Sequence, residues 1–477
     1  MSRRTKIVAT LGPASSDPQV LERMIRAGVD VFRLNFSHGT EADHVARAEL
    51  VRGVAAAIGK TVGILADLQG PKIRVGKFEN GRVSLVTGAT FLLDAECKLG
   101  NLERVGLDYP ELPNDVSPGD TLLLDDGKIE LQVVRVDGHV VTTSVIQGGV
   151  LSNNKGINRR GGGLTAPALT AKDYEDIRTA AKMQADFLAV SFPRSGEDIR
   201  EARTLMRAAG GHAQIMAKIE RAEAIDALED IIDASDSIMV ARGDLAVEVG
   251  DAAVPAMQKR MIRSARRKNK AVVTATQMME SMISSPVPTR AEVSDVANAV
   301  IDGTDAVMLS AESAVGQFPV ETVTVMARVC LEAEKEVLRH AVDQDSRFER
   351  KITQVEMAIS HAVVFTARHL GVKAIAALTQ SGTTARFMSA MDLPVPIYAM
   401  TNSAETQRKV TLLKGVYPVA FEHTTRDAEE VIQQAEDCLK RQGTVKAGDL
   451  IILTIGEPIG KPGGTNTMKI IRVSGQV

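Results

Sequence analysis

Eight short apolar segments, each typical of a buried strand, alternate with segments of helical periodicity along most of this chain. In chain order the apolar segments are 6–11, 31–36, 62–68, 187–192, 214–219, 237–241, 271–275 and 306–309. Regular alternation of strands and helices predicts a parallel sheet, because each crossover helix returns the chain to the same edge. Eight such units in roughly 250 residues are the content of a (β/α)8 TIM barrel. The sequence therefore predicts an α/β protein built on this barrel.

The alternation is interrupted once, after the third apolar segment. Gly70-Pro71 breaks the pattern, and residues from about 72 to 147 change to short alternating runs. Turn signals separate these runs at Asn80-Gly81, Pro118-Gly119, Asp126-Gly127 and Asp137-Gly138. The pattern predicts an inserted all-β domain with antiparallel pairing. A glycine-rich segment at 160–163 then leads back to the barrel.

A polar stretch at 343–350 marks the expected end of the barrel. Beyond it, strand patterns alternate with helices, which is typical of a doubly wound α/β domain. The strand patterns lie near 373–378, 396–399, 416–421, 450–455 and 468–473. We therefore expect three domains. They are a discontinuous catalytic barrel of residues 1–70 and 165–342, an inserted β-barrel lid of residues 71–164, and a C-terminal α/β regulatory domain of residues 343–477.

The composition limits the classes of function. The 477 residues carry a net charge of -3, which gives no general attraction to nucleic acid or to an anionic membrane. No apolar run in the sequence is long enough to cross a bilayer, and the three cysteines are widely spaced, which indicates a reducing compartment. We expect a cytoplasmic protein with neither a nucleic-acid partner nor a membrane partner.

Charged residues end two neighbouring strands in the segment 215–250. Lys218 lies within the fifth apolar segment, Glu220 directly follows it, and Asp244 follows the sixth. Because parallel strands place their C-terminal ends on one side, these groups are expected at one mouth of the barrel. Two carboxylates and an ammonium suit a divalent cation bound to an anionic substrate. The alternative is a salt-bridge cluster that caps the barrel.

Other strand ends add cations, hydroxyls and amides at the same mouth. The residues concerned are Arg33, Asn35, Ser37, His38, Asp67, Lys72, Arg74, Gly243, Thr276, Gln277, Ser310 and Glu312. Strands rich in hydrocarbon would not hold so many ionisable groups for packing alone. The set indicates stabilisation of a polyanion with a metal on Glu220 and Asp244, which is the equipment of phosphoryl transfer.

Two other functions fit parts of this pattern. A metal-dependent barrel lyase or aldolase acting on a keto acid would also use a Glu/Asp metal pair and an arginine. The inserted lid, the C-terminal domain and the position of Lys218 two residues before Glu220 count against it. A non-catalytic barrel that senses phosphorylated metabolites is the second alternative, and the intact set of charged mouth residues counts against it.

Several of these segments resemble one known family. The segments are TKIVATLGPAS, VFRLNFSHG, ADLQGPKIR, IMAKIE, MVARGDL, TATQMMESM, PTRAEVSDVANAV and MLSAESAVG. Together they strongly resemble pyruvate kinase, and the resemblance covers nearly the whole chain. KGIN followed by LTAPALT resembles the bacterial type II branch, which AMP or sugar phosphates activate. The resemblance implies transfer of the phosphoryl group of phosphoenolpyruvate to ADP, giving pyruvate and ATP in the last step of glycolysis, with Mg²⁺ or alternatively Mn²⁺ as the metal.

The resemblance also implies roles at the barrel mouth. Arg33 would bind the phosphoryl group of phosphoenolpyruvate, and Lys218 would stabilise its charge during transfer. The metal would be held by Glu220 and Asp244. The substrate carboxylate would be bound by Gly243, Asp244 and Thr276, and the face that takes the proton would lie near Thr276 and Ser310. The nucleotide phosphates would face Asn35, Ser37, His38, Arg74 and Lys155.

One position departs from the best-known family pattern. Many pyruvate kinases need K⁺ and carry a glutamate directly after the Gly-Pro of this motif, where the present chain has Lys72. Residues 68–69 also match the potassium-independent members. The Lys72 ammonium is therefore expected to replace K⁺ and to leave a vestigial polar site at Asn35, Ser37 and Asp67. The alternative is that Lys72 points to solvent on the lid and that K⁺ still binds.

The C-terminal domain is expected to hold a regulatory site. Its loop residues Thr379, Ser381, Gly382, Thr383 and Thr384 follow a strand pattern and open a short helix. Hydroxyls and backbone N–H groups in such a turn hold phosphate well, although Ser and Thr are also common helix caps. With the resemblance, we expect this loop to bind a sugar-phosphate or AMP activator of a homotetramer.

Overall fold

The computed structural model describes residues 2–340, 352–459 and 464–474. The boundary expected at 343–350 lies outside the described residues. Within the three described ranges, no helix combines the length and the apolar character needed to cross a bilayer.

The strands lie where the apolar segments predict them. In chain order they are β1 (Lys6–Thr10), β2 (Val31–Asn35), β3 (Gly63–Asp67), β4 (Arg82–Leu85), β5 (Thr90–Asp94), β6 (Arg104–Val105), β7 (Thr121–Leu124), β8 (Ile129–Asp137), β9 (Val140–Gln147), β10 (Gly149–Ser152), β11 (Ile157–Arg159), β12 (Phe187–Val190), β13 (Gln214–Ile219), β14 (Ser237–Ala241), β15 (Ala271–Ala275), β16 (Ala306–Leu309), β17 (Ala374–Leu378), β18 (Ile397–Thr401), β19 (Val416–Ala420), β20 (Leu450–Gly456) and β21 (Thr465–Arg472). Each of the eight apolar segments contains one barrel strand.

Helices connect the strands and often begin at a capping residue. In chain order they are α1 (Pro18–Ala27), α2 (Glu41–Ala57), α3 (Leu112–Asp115), α4 (Ala171–Lys182), α5 (Gly196–Ala208), α6 (Ala222–Asp226), α7 (Leu228–Ala234), α8 (Arg242–Val249), α9 (Val254–Arg267), α10 (Arg290–Asp302), α11 (Ala311–Ala314), α12 (Pro319–His340), α13 (Val355–His369), α14 (Thr383–Ser389), α15 (Ala404–Lys409) and α16 (Ala428–Arg441). Thr40, Thr170 and Thr289 form capping boxes with an acidic residue three positions on, which satisfies backbone N–H groups in the first turn.

The eight parallel strands close into a barrel in the order β1-β16-β15-β14-β13-β12-β3-β2. Alternate side chains along each strand point to opposite faces. Val8 and Met216 belong to the cluster inside the barrel, whereas Ile7 and Ile215 belong to the cluster shared with the surrounding helices. The closed barrel confirms the predicted TIM-barrel fold.

A separate, mostly sheet domain interrupts the barrel between β3 and α4. It has a six-stranded sheet in the order β11-β7-β8-β9-β5-β6, a two-stranded sheet of β10 and β4, and its own apolar core around Phe91 and Leu131. Pairing is antiparallel as predicted, except that β5 and β6 run parallel. The short helix α3 also departs from the all-β prediction, because Pro113 fixes a helical φ in its first turn and donates no N–H.

The C-terminal domain is the predicted doubly wound α/β layer. Its sheet has the order β19-β18-β17-β20-β21, and every pair is parallel except the edge pair of β20 and β21. Ile375 and Ile452 pack with α13 and α14 in the cluster that continues into the barrel interior. Ala376 and Leu453, on the opposite face, pack with α16. This arrangement confirms helices on both faces.

The N-terminal ends of the barrel strands form a floor with a repeated hydrogen bond. An aspartate directly before every second barrel strand accepts the N–H of the second residue in the barrel strand before it. The four pairs are Asp30 with Ile7 at 2.8 Å, Asp186 with Ile64 at 2.9 Å, Asp236 with Ile215 at 2.8 Å and Asp305 with Val272 at 2.9 Å. The C-terminal domain docks on this floor, where Arg408 contacts Asp186 at 2.7 Å.

Candidate active site

The C-terminal ends of the barrel strands bring the predicted charged residues to one mouth. Arg33 and Asp67 project from β2 and β3, Lys218 projects from β13, Glu220 directly follows β13, and Asp244 lies in the first turn of α8. Arg33, Asp67 and Lys218 each lie two positions after a buried apolar residue of the barrel interior. Their side chains therefore point to the inside of the barrel. Their clustering at one end follows from the parallel order of the strands.

Two cations and two carboxylates form a buried network at this mouth. Arg33 Nε contacts Asp67 Oδ2 at 2.5 Å. Lys218 Nζ contacts Glu220 Oε1 at 2.8 Å and Asp67 Oδ1 at 3.3 Å, and it donates a hydrogen bond to Ser191 Oγ at 2.7 Å. The side chains of Asp67 and Glu220 are each only 1% exposed. Lys218 is therefore fixed in position by partners on three strands or strand ends.

The network sets the charge of its members. Burial works against the ammonium of Lys218, but Asp67 and Glu220 outweigh it and raise the pKa of Lys218 above its usual value. Burial likewise works against the carboxylate of Asp67, but Lys218 and Arg33 outweigh it and lower the pKa of Asp67. Both groups therefore stay charged at neutral pH, which is what an electrostatic catalyst requires.

Glu220 behaves differently, and its environment suits a metal ion. Burial raises its pKa, Lys218 opposes this, and the negative charge of Asp244 raises it further. A cation placed between the two carboxylates would relieve both effects. Across the described residues, no group of three or more His, Cys, Asp or Glu side chains is arranged to hold a metal. Two carboxylates beside an open cleft fit Mg²⁺, which keeps water and substrate oxygens among its ligands.

The segment after β15 has an unusual backbone that positions Thr276. Thr276 has a φ of 68° and Gln277 has a φ of 54°, a region that a β-branched residue rarely adopts. Thr276 Oγ1 accepts the N–H of Gly243 at 2.9 Å and donates to the carbonyl of Ala275 at 2.6 Å. The strained segment thereby links the loops after β14 and β15, where the sequence predicts a carboxylate pocket.

Two residues that hold this site were missed by sequence reasoning. Ser191, which accepts the hydrogen bond of Lys218, directly follows β12 and could have been found by examining the end of the fourth barrel strand. Arg242 donates to the carbonyl of Thr276 at 2.6 Å and pairs with Asp295 at 2.7 Å, so it fixes the strained segment from behind. Its place directly before Gly243 and Asp244 was the available signal.

Ser310 and Glu312 connect the last two strand ends. Glu312 accepts the N–H of Ser310 at 2.7 Å and the N–H of Met279 at 3.2 Å. Burial raises the pKa of this carboxyl group, and the hydrogen bonds from these N–H groups oppose the shift. Glu312 therefore positions loops rather than facing the cleft, and Ser310 lies at the start of α11.

The predicted nucleotide residues lie in two places. Asn35, Ser37 and His38 form one turn after β2, in which Asn35 Oδ1 accepts the N–H of Ser37 at 3.1 Å. Arg74 and Lys155 belong to the inserted domain, where Arg74 donates to the carbonyl of residue 154 at 3.0 Å and Lys155 pairs with residue 125 at 2.7 Å. The two groups belong to different domains, one on the barrel and one on the insertion.

Lys72 is turned into the cleft between the barrel and the inserted domain. Its Nζ contacts Asp244 Oδ1 at 3.1 Å and lies 3.9 Å from Asp126 Oδ1. The cleft encloses about 520 Å³, with Arg160 on the side of the insertion and Gln277 on the side of the barrel. The inserted domain thus faces the barrel mouth across a cleft that contains Gly243 and Asp244.

Comparison with known proteins identifies the family. The family model "Pyruvate kinase, barrel domain" matches residues 2–323, and the model "Pyruvate kinase, alpha/beta domain" matches residues 357–471. The chain belongs to the pyruvate kinase family. Pyruvate kinase II of Salmonella typhimurium is 53% identical over 481 residues, covering 99% of this chain and 99% of the relative. A pyruvate kinase of Haemophilus influenzae is 53% identical over 464 residues, covering 95% and 96%.

A solved structure agrees with this assignment. The crystal structure of a pyruvate kinase from Cryptosporidium parvum superposes with a TM-score of 0.91 at 36% identity, covering 99% of this chain and 96% of the other. As a member of the pyruvate kinase family, the chain is a phosphotransferase, and the family implies phosphoenolpyruvate and ADP as substrates. The predicted enzyme class is confirmed, and the two alternatives, a barrel lyase and a non-catalytic sensor, are not.

A second pocket of this pyruvate kinase fold lies in the C-terminal domain. It encloses about 100 Å³, and its lining includes Thr379, Ser381, Thr383, Thr384, Asn402 and Thr465. Gly382 caps α14 with a φ of 79°, and its N–H donates to Thr379 Oγ1 at 2.9 Å. Four of the five predicted residues thus line one pocket and Gly382 lies in the turn between them, although the Thr384 hydroxyl is buried and paired with Thr465 at 2.8 Å.

Proposed function

We propose that the chain transfers the phosphoryl group of phosphoenolpyruvate to ADP in a reaction that depends on a divalent metal held by Glu220 and Asp244. The observation that carries this proposal is the buried network of Lys218 with Asp67, Ser191 and Glu220. A buried ammonium fixed at the barrel mouth stabilises developing negative charge without reorganising at the moment of reaction.

Each cation of the mouth has its own task. Arg33, anchored by Asp67, binds the phosphoryl group, and Lys218 stabilises that group as it leaves the enolate oxygen. Glu220 and Asp244 would hold Mg²⁺, or Mn²⁺ in its place, which would neutralise negative charge of the substrate. The carboxylate end of the substrate lies in the pocket lined by Gly243, Asp244 and Thr276, where backbone N–H groups at the start of α8 assist.

The remaining groups serve the nucleotide and the proton. Residues Asn35, Ser37 and His38 on the barrel and Arg74 and Lys155 on the insertion bind the phosphates of ADP. Thr276 and Ser310 lie beside the face where the enolate carbon takes its proton. The inserted domain closes over the cleft as a lid and excludes water that would intercept the phosphoryl group.

Lys72 is proposed to replace K⁺ in this chain. Its ammonium lies in the cleft, 3.1 Å from Asp244, and Asp67 of the corresponding polar site is already paired with Arg33 and Lys218. Turnover with Mg²⁺ in buffer free of K⁺ and NH₄⁺ is expected to stay within about twofold of turnover in KCl, because a cation carried by the chain itself needs no bound ion. A many-fold activation by K⁺ would contradict this.

The C-terminal pocket is proposed to bind the phosphate of a sugar-phosphate or AMP activator, and the enzyme is proposed to be a homotetramer. Pocket hydroxyls of Thr379, Ser381 and Thr383 and the turn at Gly382 support the first part. Replacing Thr383 by Glu should abolish activation through repulsion of the phosphate and leave basal turnover. Light scattering at assay concentration tests the assembly.

The proposed metal site is tested by titration of activity with Mg²⁺. We expect Asp244→Asn to raise the Mg²⁺ concentration for half-maximal turnover by about tenfold or more, because one of two protein ligands loses its charge. The assay couples phosphoenolpyruvate and ADP to pyruvate formation. Asp233→Asn, which removes a carboxylate paired with Lys268 outside the proposed ligand set, is the control for a general effect of lost charge. An unchanged Mg²⁺ titration in Asp244→Asn would exclude this carboxylate as a ligand.

A further inference from the structure

Lys72 connects the inserted domain to the carboxylate assigned to the metal. It lies just after Gly70-Pro71, where the chain leaves the barrel, and its ammonium contacts Asp244 Oδ1 at 3.1 Å. The carboxylate of Asp126, in the turn between β7 and β8, lies 3.9 Å away on the other side. Lys72 is therefore a cation shared between a barrel carboxylate and a lid carboxylate.

The charges of the mouth are not equally matched. Asp67 contacts both Arg33 and Lys218, and Glu220 contacts Lys218. Within the part of the chain that the structure describes, Asp244 forms its ion pair with Lys72, and both side chains keep about a quarter of their surface exposed. Asp244 is thus neutralised by a side chain that has solvent beside it and a second carboxylate partner within reach.

A divalent cation bound to Asp244 Oδ1 competes with Lys72 for the same oxygen. Oxygen ligands approach such a cation at about 2.0–2.6 Å, so an ammonium 3.1 Å from the same oxygen would face a double positive charge at close range. Lys218 is held beside Glu220 by two further buried partners, whereas Lys72 keeps about a quarter of its side-chain surface exposed and can move away. The Lys72 side chain is long and flexible enough to move without shifting its backbone.

We propose that Lys72 is an internal counter-ion of Asp244 and competes with the divalent metal for this carboxylate. The inference rests on the proposed assignment of Asp244 as a metal ligand. Lys72 holds the first segment of the lid against the barrel while Asp244 has no metal. Metal binding releases the ammonium into the cleft, where the anionic phosphates of the substrates attract it. Metal occupancy and the first lid contact are thereby coupled through one side chain.

The competition is measurable without turnover. Mn²⁺ binding to the substrate-free enzyme, followed by the electron paramagnetic resonance signal of unbound Mn²⁺, reports the carboxylates directly. Lys72→Met keeps the length of the side chain and removes its charge, so it should tighten Mn²⁺ binding about tenfold. Lys155→Met is the matched control, since it removes a lid ammonium that pairs with Asp125 instead, and it should leave Mn²⁺ binding unchanged.

The outcomes separate the two assignments. Unchanged or weaker Mn²⁺ binding in Lys72→Met overturns the counter-ion role of Lys72. Equal tightening of Mn²⁺ binding in Lys155→Met would show a general effect of net charge and would overturn that role as well. Asp244→Asn tests the underlying metal assignment, because loss of the Mn²⁺ site there supports the ligand role whatever Lys72→Met does. If Asp244→Asn binds Mn²⁺ normally, the metal assignment fails and the competition fails with it. Lys72→Gln repeats the test with a polar side chain.

Discussion

The two ends of the barrel both bury carboxylates, but they use them in opposite ways. At the mouth, Asp67 lies between Arg33 and Lys218, and its pKa is lowered despite burial. At the floor, Asp305 accepts backbone N–H groups of Val272 and Lys414, and burial raises its pKa to about 6. The mouth gathers charges that stay ionised and face a cleft. The floor uses carboxylates chiefly as acceptors that join strands and receive the C-terminal domain.

The comparison is tested most severely at Lys218. Lys218→Met should lower kcat by about 10³-fold or more while substrate binding largely survives, because the lost interaction is strongest in the transition state. Coupled-assay kinetics give kcat and KM, and circular dichroism shows whether the variant is folded. A folded variant with near-normal kcat would show that Lys218 has no catalytic role. The charges of the mouth would then be structural, as those of the floor are.

The floor is tested by Asp186→Asn. This change removes the ion pair with Arg408 and weakens the bond to the N–H of Ile64. We expect a loss of about 3 kcal/mol of stability, as for other broken buried pairs. The kcat of the folded fraction should change by less than about twofold, because no floor residue faces the substrate. Denaturant unfolding measures the stability of the variant, and the coupled assay on the same preparation measures its kcat. A drop in kcat comparable to that of Lys218→Met would show that floor carboxylates are as important for catalysis as the charged residues at the mouth.

The pH dependence of stability should differ between the two aspartates. The raised pKa of Asp305 means that the folded state binds its proton more tightly than the unfolded chain, so its contribution to stability falls as pH rises from about 4 to about 6. The lowered pKa of Asp67 means that its contribution is present above its usual pKa of 3.8 and is lost only at lower pH.

These signs predict different melting behaviour for the two asparagine variants. Relative to wild type, the Tm of Asp305→Asn should rise by about 2 °C or more between pH 4.5 and pH 7. The Tm difference between Asp67→Asn and wild type should stay nearly constant over this range. Differential scanning calorimetry at matched ionic strength measures both. Parallel curves for the two variants would show that the ends of the barrel are electrostatically alike.

The smallest effect is expected on the outer surface. Lys182 on α4 pairs with Glu41 on α2, and both side chains are more than half exposed. Lys182→Met should shift Tm by less than about 1 °C, since exposed ion pairs contribute little. Its kcat should equal that of wild type. A clear decrease in Tm or in kcat would mean that loss of any charged residue lowers stability or activity, whatever its position in the barrel.

The sequence predicted most of the charged residues at the barrel mouth, but it did not predict the aspartates of the floor. Arg33 and Lys218 stand out because a charge inside an apolar segment costs energy unless it has a partner, and Glu220 directly follows such a segment. Asp186 and Asp305 precede apolar segments, where an aspartate is ordinary turn chemistry. Their partners lie on another strand, and a linear pattern carries no information on which N–H group will be within reach.

The limits of sequence reasoning follow the same physical division. Strand positions were predicted because burial imposes an apolar pattern, whereas the parallel pair of β5 and β6 depends on how a loop returns across the sheet. The contact of Lys72 with Asp244 joins residues 172 positions apart. Ser191 and Arg242 are polar residues whose roles exist only through such partners, so they become apparent once the strands are placed.

The floor hydrogen bonds also constrain the order in which the barrel assembles during synthesis. The partners of Ile7, Ile215 and Val272 follow within 23, 21 and 33 residues. The partner of Ile64 follows only after 122 residues, because the inserted domain lies between them. A chain leaving the ribosome therefore completes the inserted domain, with its separate apolar core, before the third barrel strand receives Asp186. The place of the insertion makes the pairing of β3 with β12 wait until the inserted domain has been synthesised.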